Sequence, residues 1–311
     1  RLTDVTGVQT CALPIYQDDI YSTLAMRKEV QTREPRRLIV FTDLDGTLLN
    51  HGDYSWEAAR PALEKTRALG IPLVICTSKT RPEVELLRAE IGVAGPFIVE
   101  NGGGIFFPRE YDDLPVGSSL VMDTYRCIPL GIPYARIRAF IEETAKTSSI
   151  TGFGDMTVEE VSRLTGLDAR RASLARQREF SEPFVLAREE ELHEIERLAH
   201  LKGLAITRGG RFYHCMGYGN DKGGSVKRVR DIFARHWRGG VTAIGFGDSP
   251  NDFALLEAVD IPVLIPHDDG SYEGLDLPGL VHAPYPGSRG WNAAALSVIA
   301  GAHGGTRDGQ S

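Results

Sequence analysis

The stretch "LIVFTDLDGTLLN", residues 38 to 50, decides the fold of this chain. It begins with four apolar residues, typical of a buried strand, and two aspartates follow almost at once, Asp43 and Asp45. Two carboxylates at the end of a buried strand raise each other's pKa because their like charges repel. A bound cation would neutralise them. The stretch therefore predicts a strand that brings two carboxylates to a cation.

Strands and helices alternate on both sides of the middle of the chain. "IPLVICT" (71–77) and "PFIVE" (96–100) predict further strands, and Thr80 with Glu83 predicts a capped helix between them. The late stretch "VTAIGFG" (241–247) predicts another strand with helices on either side. This alternation is typical of βαβ units. The sequence predicts an α/β fold, a Rossmann-like core with a parallel sheet and helices on both faces.

The middle of the chain follows another pattern. "SSLVMDTY" and "EPFVLA" predict separate strands, stretches at 134–146 and 189–201 predict amphipathic helices, and Gly209–Gly210 predicts a hairpin turn. Together they predict a compact α+β domain inserted into the core. The predicted domains are the core at 35–111 and 218–300 and the insert at 112–217.

The two ends of the chain are expected to lie outside the fold. "VTGVQTCALPI" (5–15) looks like the translation of a sequencing adapter, so residues 1–34 are expected to be a non-native or disordered extension, and Cys11 to have no role. The Gly-rich residues 301–311 are expected to form a frayed tail.

Composition narrows the class of protein. A net charge of -7 argues against binding to nucleic acid or to a membrane surface, and no apolar run is long enough to span a bilayer. The four cysteines form no CxxC pair, which indicates a reducing, cytoplasmic setting. Cys76 and Cys215 lie in apolar runs and are predicted to fill the core. A monomer or homodimer without nucleic-acid or membrane partners is expected.

Charged and hydroxyl side chains follow several predicted strands. Ligands of parallel sheets collect at the carboxyl ends of the strands, where Thr77, Asp248 and Asp252 would join the two aspartates. Carboxylate oxygens are the ligands that Mg²⁺ prefers. Lys222 and Thr77 would hold the oxygens of a phosphoryl group, which is what phosphoryl transfer requires. Asp43 is the predicted nucleophile and Asp45 the predicted general acid and base.

"DLDGTLL", Thr77, "DKGGS" and "GDSPND" resemble the four motifs of the haloacid dehalogenase-like phosphatases. The resemblance implies that Asp43 forms an aspartyl-phosphate. It implies Mg²⁺ bound by Asp43, Asp248 and the backbone carbonyl of Asp45, with Asp252 in support. The insert lies where this superfamily carries its type-2 caps, which cover the site and select the substrate.

Longer stretches resemble one subfamily, the mannosyl-3-phosphoglycerate phosphatases. They are "TSKTRPEV" (77–84), "ENGGGIFFP" (100–108), "TGFGDMTVEEVSRLTGL" (151–167) and "QREFSEPF" (177–184). The resemblance implies that the substrate is a phosphorylated hexosyl-glycerate and the product mannosylglycerate, a compatible solute. The N-terminal extension and the glycine-rich "MGYGNDKGG" depart from the family pattern.

Candidate substrate contacts come from both domains. In the core, loops at strand ends supply polar groups, and in the insert arginine is a natural partner for the carboxylate of glycerate. Each insert side chain could equally be solvated surface. The candidates are Ser78, Lys79, Asn101, Gly102, Asn251, Arg176, Glu182, Arg208, Arg211 and His214.

Other functions stay open at this level. The substrate could be glucosyl-3-phosphoglycerate or a broader set of sugar phosphates. The "DxDGT" pattern also resembles phosphomannomutases. A non-catalytic protein that binds sugar phosphates is the alternative from another class, and the complete set of candidate catalytic residues argues against it.

Overall fold

The computed structural model describes residues 36–122, 124–209, 211–237 and 240–304. The extension predicted at residues 1–34, with Cys11, lies outside these ranges, and so does Gly210 of the predicted hairpin turn. Most of the tail predicted from residue 301 lies outside them too. The last described helix continues to Gly304, so residues 301–304 of the predicted tail are helical.

Two sheets organise the described chain. Their strands are β1 (Arg37–Thr42), β2 (Leu73–Cys76), β3 (Phe97–Val99), β4 (Gly104–Pro108), β5 (Leu120–Met122), β6 (Tyr125–Pro129), β7 (Ile150–Gly152), β8 (Ser181–Leu186), β9 (Leu204–Gly209), β10 (Phe212–Gly217), β11 (Val241–Gly247), β12 (Ile261–Leu264) and β13 (Val281–His282).

Helices connect and cover these strands. In chain order the described α-helices are α1 (Arg60–Ala68), α2 (Arg81–Ile91), α3 (Tyr134–Thr144), α4 (Val158–Thr165), α5 (Ala169–Ala175), α6 (Leu192–Leu201), α7 (Lys222–His236), α8 (Phe253–Glu257) and α9 (Gly287–Gly304).

The larger sheet has the strand order β13-β12-β11-β1-β2-β3-β4-β6-β5. The six strands from β13 to β3 are parallel, as predicted, whereas β4, β6 and β5 are antiparallel. The change of direction follows from chain length. Only residues 100–103 connect β3 to β4, and a parallel connection needs about a dozen residues.

Strand β1 lies at the centre of this sheet and is apolar on both faces. Leu38 and Val40 point into one hydrophobic layer, which α1, α2 and α9 cover. Ile39 and Phe41 point into the opposite layer, which α7 and α8 cover. Successive side chains of a strand point to opposite faces, so this continuous apolar run requires helices on both sides. The predicted α/β core is confirmed.

The smaller sheet belongs to the insert and has the antiparallel order β7-β8-β10-β9. Helices α3 and α6 pack on it through a separate hydrophobic cluster that includes Ile137, Phe184 and Ile195. The predicted strand "EPFVLA" and both predicted helices are present. An α+β insert is therefore confirmed as part of the fold.

The strand predicted in "SSLVMDTY" does not belong to the insert's sheet. It forms β5, which pairs with β6 at the edge of the larger sheet. Cys127 and Ile128 of β6 are buried within the core layers, which holds this hairpin on the core. The residues with their own sheet and helices begin only after Pro129.

Two smaller predictions can also be compared with the structure. Cys76 and Cys215 are buried in hydrophobic clusters, as predicted. Within the described ranges, no helix combines the length and the apolar composition that crossing a bilayer requires.

Candidate active site

The candidate site lies where the central strands of the larger sheet end. Strands β11, β1 and β2 are neighbours, and the residues that follow them are Asp248, Asp43 and Thr77. The carboxyl ends of parallel strands meet at one edge of a sheet, which brings these residues together from distant parts of the sequence.

Three buried carboxylates meet a single ammonium group at this edge. Side-chain oxygens of Asp43, Asp248 and Asp252 lie within 4.8 Å of one another. The Nζ of Lys222 lies 2.7 Å from Oδ1 of Asp43 and 2.6 Å from Oδ1 of Asp252. Lys222 is buried as well, so water screens these charges only weakly. The cluster therefore carries excess negative charge.

The excess charge changes the pKa values of the group. Burial, then Asp252, raises the pKa of Asp43 to about 7, even though Lys222 opposes the change. Burial, then Asp252 and Asp43, raises the pKa of Asp248 to about 9. Burial lowers the pKa of Lys222, but the two carboxylates outweigh it and hold that pKa above its usual value. A hard divalent cation fits this donor set, because carboxylate oxygens are its preferred ligands.

Asp252 also fixes the loop that follows β11. Its Oδ2 accepts hydrogen bonds from the backbone N–H of Asp248 (3.1 Å) and of Ser249 (3.2 Å). A Cβ at Gly247 would lie 2.4 Å from the Cβ of Asp252, so only glycine fits there. Thr47, which was not among the predicted site residues, donates from Oγ1 to Asp248 Oδ1 at 2.8 Å. Its position two residues after Asp45 is the feature of the sequence that could have indicated this role.

Asp45 has a different partner from the other aspartates. The Nζ of Lys79 lies 2.7 Å from Asp45 Oδ2 and 5.3 Å from the centroid of the Tyr54 ring. Burial lowers the pKa of Lys79, but Asp45 and Glu83 raise it more, so it stays above its usual value. The ammonium of Lys79 is thus already paired with the candidate acid and base.

A cavity of about 190 Å³ lies between this edge of the core and the insert. The core contributes Asp43, Asp45 and Asp248 to its wall, and the insert contributes Phe153 and Phe212 among others. Five of the predicted substrate contacts line it: Ser78, Lys79, Asn251, Arg211 and His214.

His214 is the one of these five whose environment is most unusual. It is buried, and its Nδ1 has no hydrogen-bond partner among the described residues. Burial, with the positive charges of Arg178 and Lys222, lowers its pKa to about 3. His214 is therefore neutral at physiological pH.

Three predicted contacts in the insert do not line the cavity. Glu182 is wholly buried and accepts hydrogen bonds from Tyr134, Arg138 and the backbone N–H of Gly154, so its oxygens are used inside the insert. Arg176 donates from Nε to the carbonyl of Phe153 at 3.3 Å. The guanidinium of Arg208 lies over the ring of Tyr213.

Three core candidates do not line the cavity. The Oγ1 of Thr77 accepts from the backbone N–H of Lys79 at 3.3 Å. The Oδ1 of Asn101 is 3.5 Å from Nδ2 of Asn251, and the carbonyl of Gly102 accepts from Ser225. A Cβ at Gly102 would lie 2.2 Å from the carbonyl oxygen of Asp221, so this glycine is required for close packing.

Some residues that line the cavity were not predicted from the sequence. Arg178, His51 and Tyr54 all face the cavity. Arg178 lies inside the stretch "QREFSEPF", only two residues from the predicted Arg176. Its presence in that stretch was a signal, but the sequence did not show which arginine faces inward.

Comparisons with known proteins agree with this fold and site. The model of the haloacid dehalogenase-like hydrolase family matches residues 40–120. A relative from Persephonella marina is 48% identical over 84% of this chain and 97% of its own length. The chain therefore belongs to the haloacid dehalogenase-like hydrolase family.

The relatives carry more particular names. The Persephonella protein is a glucosyl-3-phosphoglycerate/mannosyl-3-phosphoglycerate phosphatase. A mannosyl-3-phosphoglycerate phosphatase from Pyrococcus furiosus is 35% identical over 73% of this chain and 90% of its own. A solved phosphatase of Bacteroides thetaiotaomicron has the same fold, with a TM-score of 0.59 and 20% identity over 85% of this chain and 96% of its own. The resemblance predicted from the motifs is confirmed.

Proposed function

We propose that this chain is a Mg²⁺-dependent phosphoric monoester hydrolase that converts mannosyl-3-phosphoglycerate and glucosyl-3-phosphoglycerate into the hexosylglycerates and phosphate. The observation that carries the proposal is the excess of buried carboxylate over ammonium beside a cavity between the core and the insert. The names of the two relatives support the choice of substrate.

Asp43 and Asp45 carry the chemistry in this proposal. A carboxylate oxygen of Asp43 attacks phosphorus and forms an aspartyl-phosphate, while Asp45 gives a proton to the leaving glycerate oxygen. Asp45 then takes a proton from water, which attacks the phosphorus and releases phosphate and free Asp43. Support comes from geometry, since both aspartates line the same cavity.

Other core residues hold and orient these groups. Mg²⁺, when bound by Asp43, Asp248 and the backbone carbonyl of Asp45, supplies positive charge against the carboxylates and the phosphoryl oxygens. Lys222 adds a fixed ammonium, and Asp252 holds both Lys222 and the loop of Asp248. Thr77 is proposed to orient the phosphoryl group through its loop.

The insert acts as a cap in this proposal. Its residues form part of the cavity wall, and a closed cap would exclude water during phosphoryl transfer. Arg211 and His214 on the cap, with Ser78, Lys79 and Asn251 on the core, are the proposed substrate contacts. Glu182, Arg176 and Arg208 shape the cap instead of touching the substrate.

Both hexoses are proposed as substrates for a specific reason. The relative that is 48% identical is named for glucosyl and mannosyl substrates, whereas the one at 35% identity is named for mannosyl alone. The higher identity favours a site that accepts either sugar.

The test is the release of inorganic phosphate from purified protein with each hexosyl-3-phosphoglycerate and with mannose 6-phosphate. Release is expected from the two glycerates with Mg²⁺ and should stop with EDTA. Phosphate release that EDTA does not inhibit would contradict the proposed role of Mg²⁺. Isotope exchange between hexose positions without net phosphate release would support a phosphomutase instead.

A further inference from the structure

Arg178 is a cation that faces the cavity and has no direct ion pair among the described residues, although its charge lowers the pKa of the nearby Glu100 and Glu182 against the effect of burial. Its Nε donates to the carbonyl of Ala175 at 2.9 Å, and its Nη1 donates to the carbonyl of Ser78 at 2.8 Å. Both acceptors are neutral. No carboxylate oxygen of the described residues lies within 4.0 Å of its guanidinium. A partly buried charge of this kind favours an anion in the cavity.

The other cations of the cavity wall are in different situations. Lys79 is paired with Asp45 at 2.7 Å. Arg211 is exposed, and its Nη2 donates to the carbonyl of Thr165. Among the described cations that line this wall, Arg178 is thus half-buried, has no direct ion pair and keeps N–H groups for a ligand. A guanidinium has five N–H donors in a planar fork, which matches the two oxygens of a carboxylate.

Glu100 fixes the chain directly after Arg178. It is wholly buried, and its two oxygens accept hydrogen bonds from the backbone N–H of Glu179 (2.8 Å) and Phe180 (3.0 Å) and from Oγ of Ser181 (2.7 Å). These donors occupy its carboxylate, which makes no hydrogen bond to Arg178, although the charge of Arg178 lowers the pKa of Glu100 against the effect of burial.

Glu100 is itself fixed to the core next to the candidate site. Its backbone N–H donates to the carbonyl of Lys79 at 3.0 Å, and the loop of Lys79 contains the carbonyl of Ser78 that Arg178 contacts. One buried carboxylate therefore joins the cap segment that carries Arg178 to the core loop that lines the cavity. These hydrogen bonds fix the position of Arg178 relative to the core loop of Lys79.

We propose that Arg178 is the specificity-determining residue that binds the carboxylate of the substrate, and that Glu100 is the positioning residue that holds it over the cavity. The inference rests on the proposed function, in which the phosphoryl group lies at Asp43. The substrate then has two anionic ends, the phosphoryl group on the core and the glycerate carboxylate on the cap. A phosphate ester without a carboxylate leaves Arg178 unpaired.

The test compares mannosyl-3-phosphoglycerate with its methyl ester, in which the carboxylate is neutral. For the parent protein, kcat/KM is expected to be roughly 10- to 100-fold higher for the free acid, the range of a charged hydrogen-bonded pair. In Arg178→Met the free acid should lose this advantage and the ratio should approach one. A parent-like ratio in Arg178→Met overturns the proposal.

The same comparison separates this inference from the proposed function. If the parent protein releases phosphate neither from mannosyl-3-phosphoglycerate nor from its methyl ester, the proposed function fails. If it hydrolyses both at equal rates, the phosphatase stands and the carboxylate-binding inference falls. Arg170→Met is the matched control, because Arg170 is an exposed arginine in the nearby α5. It should keep the parent ratio.

Glu100→Gln and Ser181→Ala test the positioning role. Both are expected to reduce the ratio between the two esters by raising KM for the free acid, with Ser181→Ala the milder. A purely structural role would lower activity on both esters alike and leave the ratio unchanged. A parent-like ratio in Ser181→Ala and in folded Glu100→Gln overturns the role of Glu100. If Glu100→Gln does not fold, the ratio in Ser181→Ala decides.

Discussion

Two clusters of buried charge, one in the core and one in the cap, differ in how well they are satisfied. In the core, Asp43, Asp248 and Asp252 share Lys222 and crowd one another. In the cap, Glu182 is buried just as deeply, but it accepts from a tyrosine hydroxyl, a guanidinium and a backbone N–H.

The two clusters differ in what opposes the effect of burial on their pKa values. In the cap, burial raises the pKa of Glu182, and hydrogen bonds from the backbone N–H of Gly154 and the hydroxyl of Tyr134 oppose that rise. The hydrogen bonds from Arg138 hold the pKa of its neighbour Asp155 below its usual value.

In the core, burial and mutual repulsion raise the pKa of Asp43 to about 7 and of Asp248 to about 9. In the cap, both oxygens of Glu182 have hydrogen-bond donors, whereas in the core three carboxylates share the ammonium of Lys222, and their oxygens fit a further cation. Unbalanced buried charge therefore marks the candidate active site, and hydrogen-bonded, paired charge marks the structural support of the cap.

The largest effect that separates the two clusters is expected on catalysis. Asp43→Asn should lower kcat by roughly 10⁴-fold or more, because it removes the proposed nucleophile. The free energy of unfolding without metal should not fall, since one of three crowding charges is removed. Phosphate release and urea unfolding measure the two quantities. The matched control is Glu142→Gln, an exposed carboxylate of the cap, which should keep parent activity.

The next largest effect is expected on the free energy of unfolding when Mg²⁺ is added. Mg²⁺ at about 100 times its Kd should raise the free energy of unfolding by about 2.7 kcal/mol, because only the folded core assembles the acidic cluster. Asp248→Asn should abolish most of this increase. Glu182→Gln should retain it, because the cap cluster takes no part. An equal increase in Asp248→Asn would place the ion elsewhere.

Breaking the cap cluster should cost stability instead. Glu182→Gln is expected to lower the free energy of unfolding by about 2 kcal/mol. It removes the buried carboxylate that accepts a charge-assisted hydrogen bond from Nη1 of Arg138. Glu142 also pairs with Arg138 but is exposed, so Glu142→Gln should cost less than about 0.5 kcal/mol. Urea unfolding of both variants measures the difference. Equal losses would mean that burial of Glu182 adds nothing.

The smallest effect concerns His214, a cap residue that is buried without a partner for Nδ1. Its pKa is about 3 in the folded protein against 6.5 ordinarily. Between these values the unfolded chain binds a proton that the folded protein does not, so stability falls as pH decreases from 6.5 towards 3. The slope is at most about 1.4 kcal/mol per pH unit.

His214→Gln should remove this contribution, and urea unfolding from pH 7 to pH 4 measures it as a smaller loss of stability. His193→Gln, at an exposed histidine, should follow the parent curve. A parent-like slope in His214→Gln would show that His214 already accepts a proton when folded.

Much of the core site could be predicted from the sequence because its signals are local. Asp43 and Asp248 directly follow apolar strands, and Lys222 opens a helix. Once the strands are known to be parallel, their carboxyl ends must lie together, and the structure brings these three residues within one cluster.

The cap was harder to predict because the directions of its side chains depend on packing. Arg176 and Arg178 lie in the irregular chain between α5 and β8, where no periodicity fixes which side chain points inward. Glu182 could have been placed inside the cap, because it shares a strand face with the buried Phe184, two residues on. The edge hairpin of β5 and β6 depended on pairing with β4, which no local pattern revealed.

By itself, the sequence determined the parallel α/β core, the existence of the insert and the aspartates that gather at the strand ends. These depend on hydrophobic periodicity and on motifs whose residues are adjacent in the chain. Only the tertiary structure decided that Glu182 supports the cap, that Lys79 pairs with Asp45, and that Arg178 faces the cavity. Each of these depends on distances between residues far apart in sequence, because a buried charge takes its partner from whichever group the folded chain places beside it.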